Sequence, residues 1–87
     1  MDMGKRIVLG VQVTNRVEKV LDVQKILTEY GCNIRTRLGL HEVSKKSCSP
    51  SGLLILDTFG DENEILAMEK KLKKIKGLLV RKMIFEA

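Results

Sequence analysis

The feature that most limits what this chain can fold into is a recurrence in its punctuation. Asn15 is followed three positions on by Glu18, and Asp61 by Glu64, while Gly31 and Gly77 each stand sixteen positions after the first member. Asn or Asp with an acid three residues later has the form of a helix N-cap, and a glycine about four turns on suits the left-handed residue that closes a helix. Cap, acid and glycine therefore repeat at one offset, 46 residues, and the same offset lays residues 7–9 (IVL) over 53–55 (LLI) and Ile34 over Val80. Between the marks, Val20, Val23, Leu27 and Tyr30 keep helical spacing, as do Ile65, Met68, Leu72 and Ile75.

The order is strand, helix, strand, twice over. It predicts strands over residues 6–14, 33–41, 53–59 and 79–85 and helices over 16–30 and 62–76. Two right-handed βαβ units joined by a hairpin make an α+β, ferredoxin-like βαββαβ sandwich, a four-stranded antiparallel sheet with two helices on one face. The 87 residues form one domain, 1–87, burying about 60–65% of the unfolded surface. Only Tyr30, Phe59 and Phe85 are aromatic, so the core must be Ile, Leu, Val and Met in thin layers.

Two helices cover one face of such a sheet and leave the other open. In the second strand the alternation places Ile34, Leu38 and Leu40 under the helices and Arg35, Arg37 and His41 on the open side, with Gly39 marking a bulge or a close backbone approach. Pairing His41 with Gly52 then sends Leu53, Ile55 and Phe59 to the covered side and Leu54 and Leu56 to the open side, and it also sends Asp57 under the helices. The first and third strands are apolar on both faces, so Val8, Leu54 and Leu56 are expected on an exposed apolar patch at which a homodimer or homotetramer assembles. Arg35, Arg37 and His41 would border it, facing a subunit contact or an anionic ligand.

No apolar run approaches the roughly 20 residues of a membrane span, and MDMGKR lacks the apolar segment of a signal peptide. A cytoplasmic protein is expected. The formal charge of +5 is concentrated in KKLKKIK, residues 70–76, at the end of a helix that starts with acids, an arrangement the helix dipole favours. Residues 42–52 form a long hairpin loop, with Ser49, Pro50, Ser51 and Gly52 fitting a type I turn. His41 and Cys48 flank that loop and are the candidate metal ligands, two where a site needs four. No metal and no cofactor is therefore predicted. Lys45 and Lys46 would favour the Cys48 thiolate, while Cys32, at the other end of the strand, lies too far away for a disulfide.

An enzyme is not expected. The chain has one histidine and none of the paired-carboxylate, Ser-His-Asp or HExxH patterns. LGVQVTNR, residues 9–16, is faintly similar to the phosphate loop of acylphosphatases but lacks its glycines. Single-stranded RNA binding is the alternative offered by basic charge on this fold, yet Leu and Ile occupy the strand centres where RNA-binding relatives carry stacking aromatics. After the two packing helices no helix-turn-helix is left for DNA.

Gly31-Cys32-Asn33-Ile34, opening the second strand, is similar to the G-x-N-I element of ACT-type regulatory domains, and Arg37-Leu38-Gly39 with the following long hairpin resembles, more narrowly, the small ACT-like iron-only hydrogenase system regulators. The nickel-responsive repressor has a related C-terminal domain. The resemblance covers nearly the whole chain. It implies a regulatory module that assembles through its sheet, senses a small molecule at a subunit interface and acts through a partner protein as a transcriptional regulator does. It also implies an effector near the first strand-helix turn, so that Asn15 and Arg16 join Arg35, Arg37, Gly39 and His41 as candidate ligand-binding residues, although that turn has no glycine.

Overall fold

In the computed structural model the backbone is described for residues 5–14, 19–43 and 48–86, and the side chains of these outside 41–51. The elements run β1 (Lys5–Val13), α1 (Val20–Glu29), a 3₁₀ turn (Gly31–Asn33), β2 (Ile34–Val43), β3 (Cys48–Thr58), α2 (Glu62–Lys73) and β4 (Leu78–Glu86). All strand pairs are antiparallel and the sheet order is β2-β3-β1-β4. This is the βαββαβ arrangement that the repeated punctuation predicts, with the strand of each half that opens it lying in the centre.

The core lies between the sheet and the helices. Ile7, Leu9 and Val11 alternate along β1 and meet Leu56 of β3, Leu78 and Val80 of β4, Val23 and Leu27 of α1, and Ile65, Met68 and Leu72 of α2. Leu9, Leu56, Met68 and Leu72 have no exposed surface, and the stripes drawn from helical spacing dock both helices except at Val20, which is half exposed at the start of α1. Thr58 is buried in this layer, its hydroxyl donating to the Ile7 carbonyl at 2.6 Å. Glu69 is buried too, within 3.0 Å of Lys82 Nζ and 3.3 Å of Lys73 Nζ, so its charge is compensated from both β4 and its own helix.

The caps divide. Asp61 accepts a hydrogen bond from the Asn63 N–H at 2.9 Å, with Glu62 and Glu64 in the first turn of α2 and Lys70, Lys71 and Lys73 in its last. The other cap, Asn15, lies outside the described residues, and α1 is described from Val20, preceded by Lys19 outside helical geometry. Gly77 has the expected positive φ, 88°, in the turn into β4. Gly31 does not, for α1 runs directly into the 3₁₀ turn, where Asn33 N–H donates to Tyr30 at 2.8 Å and no left-handed residue is needed. Gly60, just before the Asp61 cap, is left-handed as well (φ 98°).

Two further corrections concern the hairpin. β2 extends to Val43 and β3 begins at Cys48, so Ser49, Pro50, Ser51 and Gly52 lie in a strand instead of a turn. Among the described residues the β1–β3 ladder ends at Gly52, two positions short of Pro50. Cys32 is an exposed free thiol by Ile34, which pairs with Thr58, whereas Cys48 pairs with Val43 at the far end of the hairpin.

Candidate functional site

The predicted β2–β3 register is the one found, since His41 pairs with Gly52, Leu40 with Leu53, Leu38 with Ile55 and Arg37 with Leu56. The faces assigned to it are inverted. Ile34 pairs with Thr58 but Thr36 pairs with Asp57, so two residues of β2 span one step of β3, and Arg35 is the extra residue of a β-bulge. The bulge reverses the alternation. Ile34 packs on the core as expected, but beyond Arg35 the residues sharing its side are Arg37 and Gly39, opposite buried Leu56 and core-packed Leu54. Leu54 and Leu56, expected at an interface, therefore belong to the helix-covered layer. Of the three interface candidates only Val8 is on the open face, where it is partly buried.

The open face is built from rows that cross all four strands. Leu38, Ile55, Gly10 and Arg81 make one row; Leu40, Leu53, Gln12 and Leu79 make the next; Thr36, Asp57, Val8 and Met83 make a third, and Phe85 closes the corner beside Arg6. Leu38, Leu40, Leu79, Met83 and Phe85 are each about half exposed, between 48% and 55%. Gly10 sits at the middle of this surface. Its φ is not positive, and a side chain there would meet nothing nearer than the Arg81 carbonyl at 3.9 Å, so nothing inside the chain demands a glycine. Along the two central strands the described open positions are Arg6, Val8, Gly10, Gln12, Leu53, Ile55 and Asp57, which offer no ring on which a base could stack.

Asp57 is the polar exception on this face, and it is matched. Arg6 donates to both carboxylate oxygens, at 3.1 and 2.8 Å, and these hydrogen bonds hold the Asp57 carboxyl below its usual range against the opposing effect of burial. The sequence signal for the inversion was Asp57 itself: strict alternation from Ile34 puts this carboxylate under the helices, and one inserted residue in β2 puts it beside Arg6.

The predicted ligand residues do not converge on one site. Arg37 and Gly39 border a groove of about 300 Å³ between α1 and the β2 edge, floored by Val13, Val23 and Leu54. Arg37 donates to Gln24 Oε1 on α1 at 3.3 Å, and a Cβ added at Gly39 would stand at ordinary contact distance, 3.5 Å, from the Leu54 side chain. Arg35 is directed elsewhere by the bulge, 5.4 Å from the Phe59 ring centroid, beside a small cavity of about 100 Å³ with Lys5 and Arg6. Asn15 and Arg16 lie outside the described residues, as do the side chains of His41 and Cys48; the backbone places His41 opposite Gly52 and Cys48 opposite Val43. Among the described residues no group of three or more His, Cys, Asp or Glu is arranged to hold a metal ion. No described helix is long and apolar enough to cross a membrane.

No family model matches the chain, and no curated protein matches it. Among solved structures it is similar to an uncharacterized protein from Thermotoga maritima, with a TM-score of 0.76 and 23% identity over 92% of this chain and 96% of that one. At that identity the likeness establishes the shared fold. The chain is thus a small α+β domain, most of whose length aligns with that protein.

Proposed function

We propose that the chain is an ACT-like regulatory module, of the kind found in the iron-only hydrogenase system regulators, that pairs with a second copy through its open sheet face and binds a small anionic effector in the α1–β2 groove. It works by binding and assembly rather than by catalysis. One observation carries the reading: the open face presents Leu38, Leu40, Leu53, Ile55, Leu79, Met83 and Phe85 in adjoining rows around the hollow at Gly10. Scattered apolar residues are ordinary on a surface, but contiguous ones rimmed by Arg6, Arg81 and Thr36 have the form of an interface. A second sheet packed at about 10 Å would cover them, with Gly10 receiving a side chain of the partner.

The effector reading rests on Arg37. Its guanidinium hangs over a groove with an apolar floor and is held by one neutral amide, so it retains donors for a carboxylate or similar anion. Where the groove opens, Leu40 and Leu53 belong to both surfaces, which couples an occupant to the pairing of the two copies.

Sedimentation velocity on wild-type protein and on Ile55→Lys tests the assembly. The wild type should be dimeric or tetrameric at micromolar concentration, and the variant, with a charge in the middle of the face, monomeric and still folded. A wild type that stays monomeric at the highest soluble concentration sinks the proposal. A thermal-shift screen of amino acids, nucleotides and other anions, repeated on Arg37→Gln, tests the groove: stabilisation by one class should be lost in the variant.

A further inference from the structure

The opposite side of the molecule carries a second surface with its own chemistry. A groove of about 560 Å³ runs between the helices, with Ile26 and Ile75 on its floor and Lys19, Lys25, Lys71, Lys74 and Lys76 around it, against a single carboxylate, Asp22. The helix dipole accounts for cations at the C-terminal end of α2, Lys74 at its C-cap included, but Lys76 lies beyond that end. Lys19 stands at the N-cap of α1, where the dipole opposes a cation. Lys71 is occupied, bonded to Glu29 at 2.7 Å and 5.0 Å from the centroid of the Tyr30 ring. Among the described residues, Lys19, Lys25, Lys74 and Lys76 have no ion-pair partner.

We infer that this groove is a docking site for an acidic amphipathic helix of a partner protein. Four unneutralised ammonium groups in one rim, two of them where the fold gains nothing from a cation, call for negative charge from outside. The floor decides which polyanion. Ile26 and Ile75 offer an apolar strip that a nucleic-acid backbone leaves uncovered, whereas a helix with apolar residues at i, i+3, i+4 and i+7 flanked by Glu or Asp satisfies floor and rim together. The groove also has no aromatic lining for bases. The cations of the rim are all lysines, point charges that meet an anion from many directions, so the floor rather than the rim selects the partner.

The test is selection of a random helical-peptide display library on the full-length protein, followed by fluorescence anisotropy of the enriched peptides. Enriched sequences should be acidic with apolar residues at helical spacing, and should bind the triple variant K25E/K74E/K76E about tenfold or more weakly. Exchanging the peptide's acids for lysines should restore binding to that variant and abolish it on the wild type. These three side chains are exposed and unpaired, so the variant should keep the wild-type circular dichroism and melting temperature. Absence of enrichment, enrichment of neutral or basic peptides, equal binding to both proteins, or displacement of the peptide by oligouridine at lower concentration than by unlabelled peptide would overturn the assignment, the last in favour of nucleic acid. Repeating the binding on Ile55→Lys separates this groove from the sheet face: affinity should be unchanged whether or not that variant dissociates.

Discussion

The two faces of the central strands are made of the same materials and differ in what lies over them. On one side Leu9, Val11 and Leu56 are sealed by α1 and α2. On the other, Val8, Leu53 and Ile55 are shielded only by their neighbours in the sheet, and the flanking Leu38, Leu79, Met83 and Phe85 stand half exposed. On the assembly proposed above, a strand that is apolar on both sides reports two requirements for cover, of which the chain's own helices meet one. The contrast teaches that composition along a strand reveals how many faces must be dry and leaves open whether the cover comes from the same molecule.

The sharpest way to break this contrast uses adjacent residues of opposite face. Leu56→Ala should lower the unfolding free energy by about 3 kcal/mol, since it empties a fully enclosed site. Ile55→Ala should cost less than half as much when denaturation is followed at concentrations where copies are dissociated. Equal losses in urea titrations would mean that the two faces are equivalent after all. Next in size, Met83→Ala should weaken association by about 2 kcal/mol in sedimentation equilibrium, roughly thirtyfold in dissociation constant, while leaving the melt of the separated chain nearly unchanged.

The glycines sharpen the comparison from another side. Gly60→Ala forces a φ of 98° and sets a Cβ 3.0 Å from the Asn33 amide nitrogen, so a loss of about 1–2 kcal/mol is expected. Gly31→Ala meets nothing within 4 Å and has no left-handed φ, so it should be neutral or stabilising by about 0.5 kcal/mol. The effect of Asp57→Asn depends on pH. Because the Arg6 hydrogen bonds lower the Asp57 pKa in the folded state, the stability they supply is present above the ordinary carboxylate value and is lost as the pH falls through the lowered one. Wild-type and variant urea midpoints should differ at neutral pH and converge in acid; a difference that persists at the acid end would assign the effect to packing.

Most of the architecture was legible because it rests on local rules. The Asp61 cap, the stripes through Val23 and Leu27 and through Met68 and Leu72, and the pairing of His41 with Gly52 follow from short-range chemistry and from matching a hairpin's two arms. The sidedness of β2 was not legible in the same way. Alternation transmits an error without damping it, so one inserted residue at Arg35 exchanged Arg37 and Gly39 with Leu38 and Leu40. Burial of a lone carboxylate is costly, and Asp57 was the residue at which that cost argued for the other choice. The lysine groove was hidden for a different reason: Lys19 and Lys76 are far apart in sequence and meet only because the helices lie together.

The bulge at Arg35 works as a spacer that absorbs one surplus residue and keeps the two arms of the hairpin in phase. Removing that one codon would leave Thr36 opposite Asp57 and Arg37 opposite Leu56 in a plain ladder, with every later side chain on the side it already occupies. The edge would give up its kink and the guanidinium beside Phe59 and nothing of its outward pattern, so a gene shortened there still encodes the same exterior.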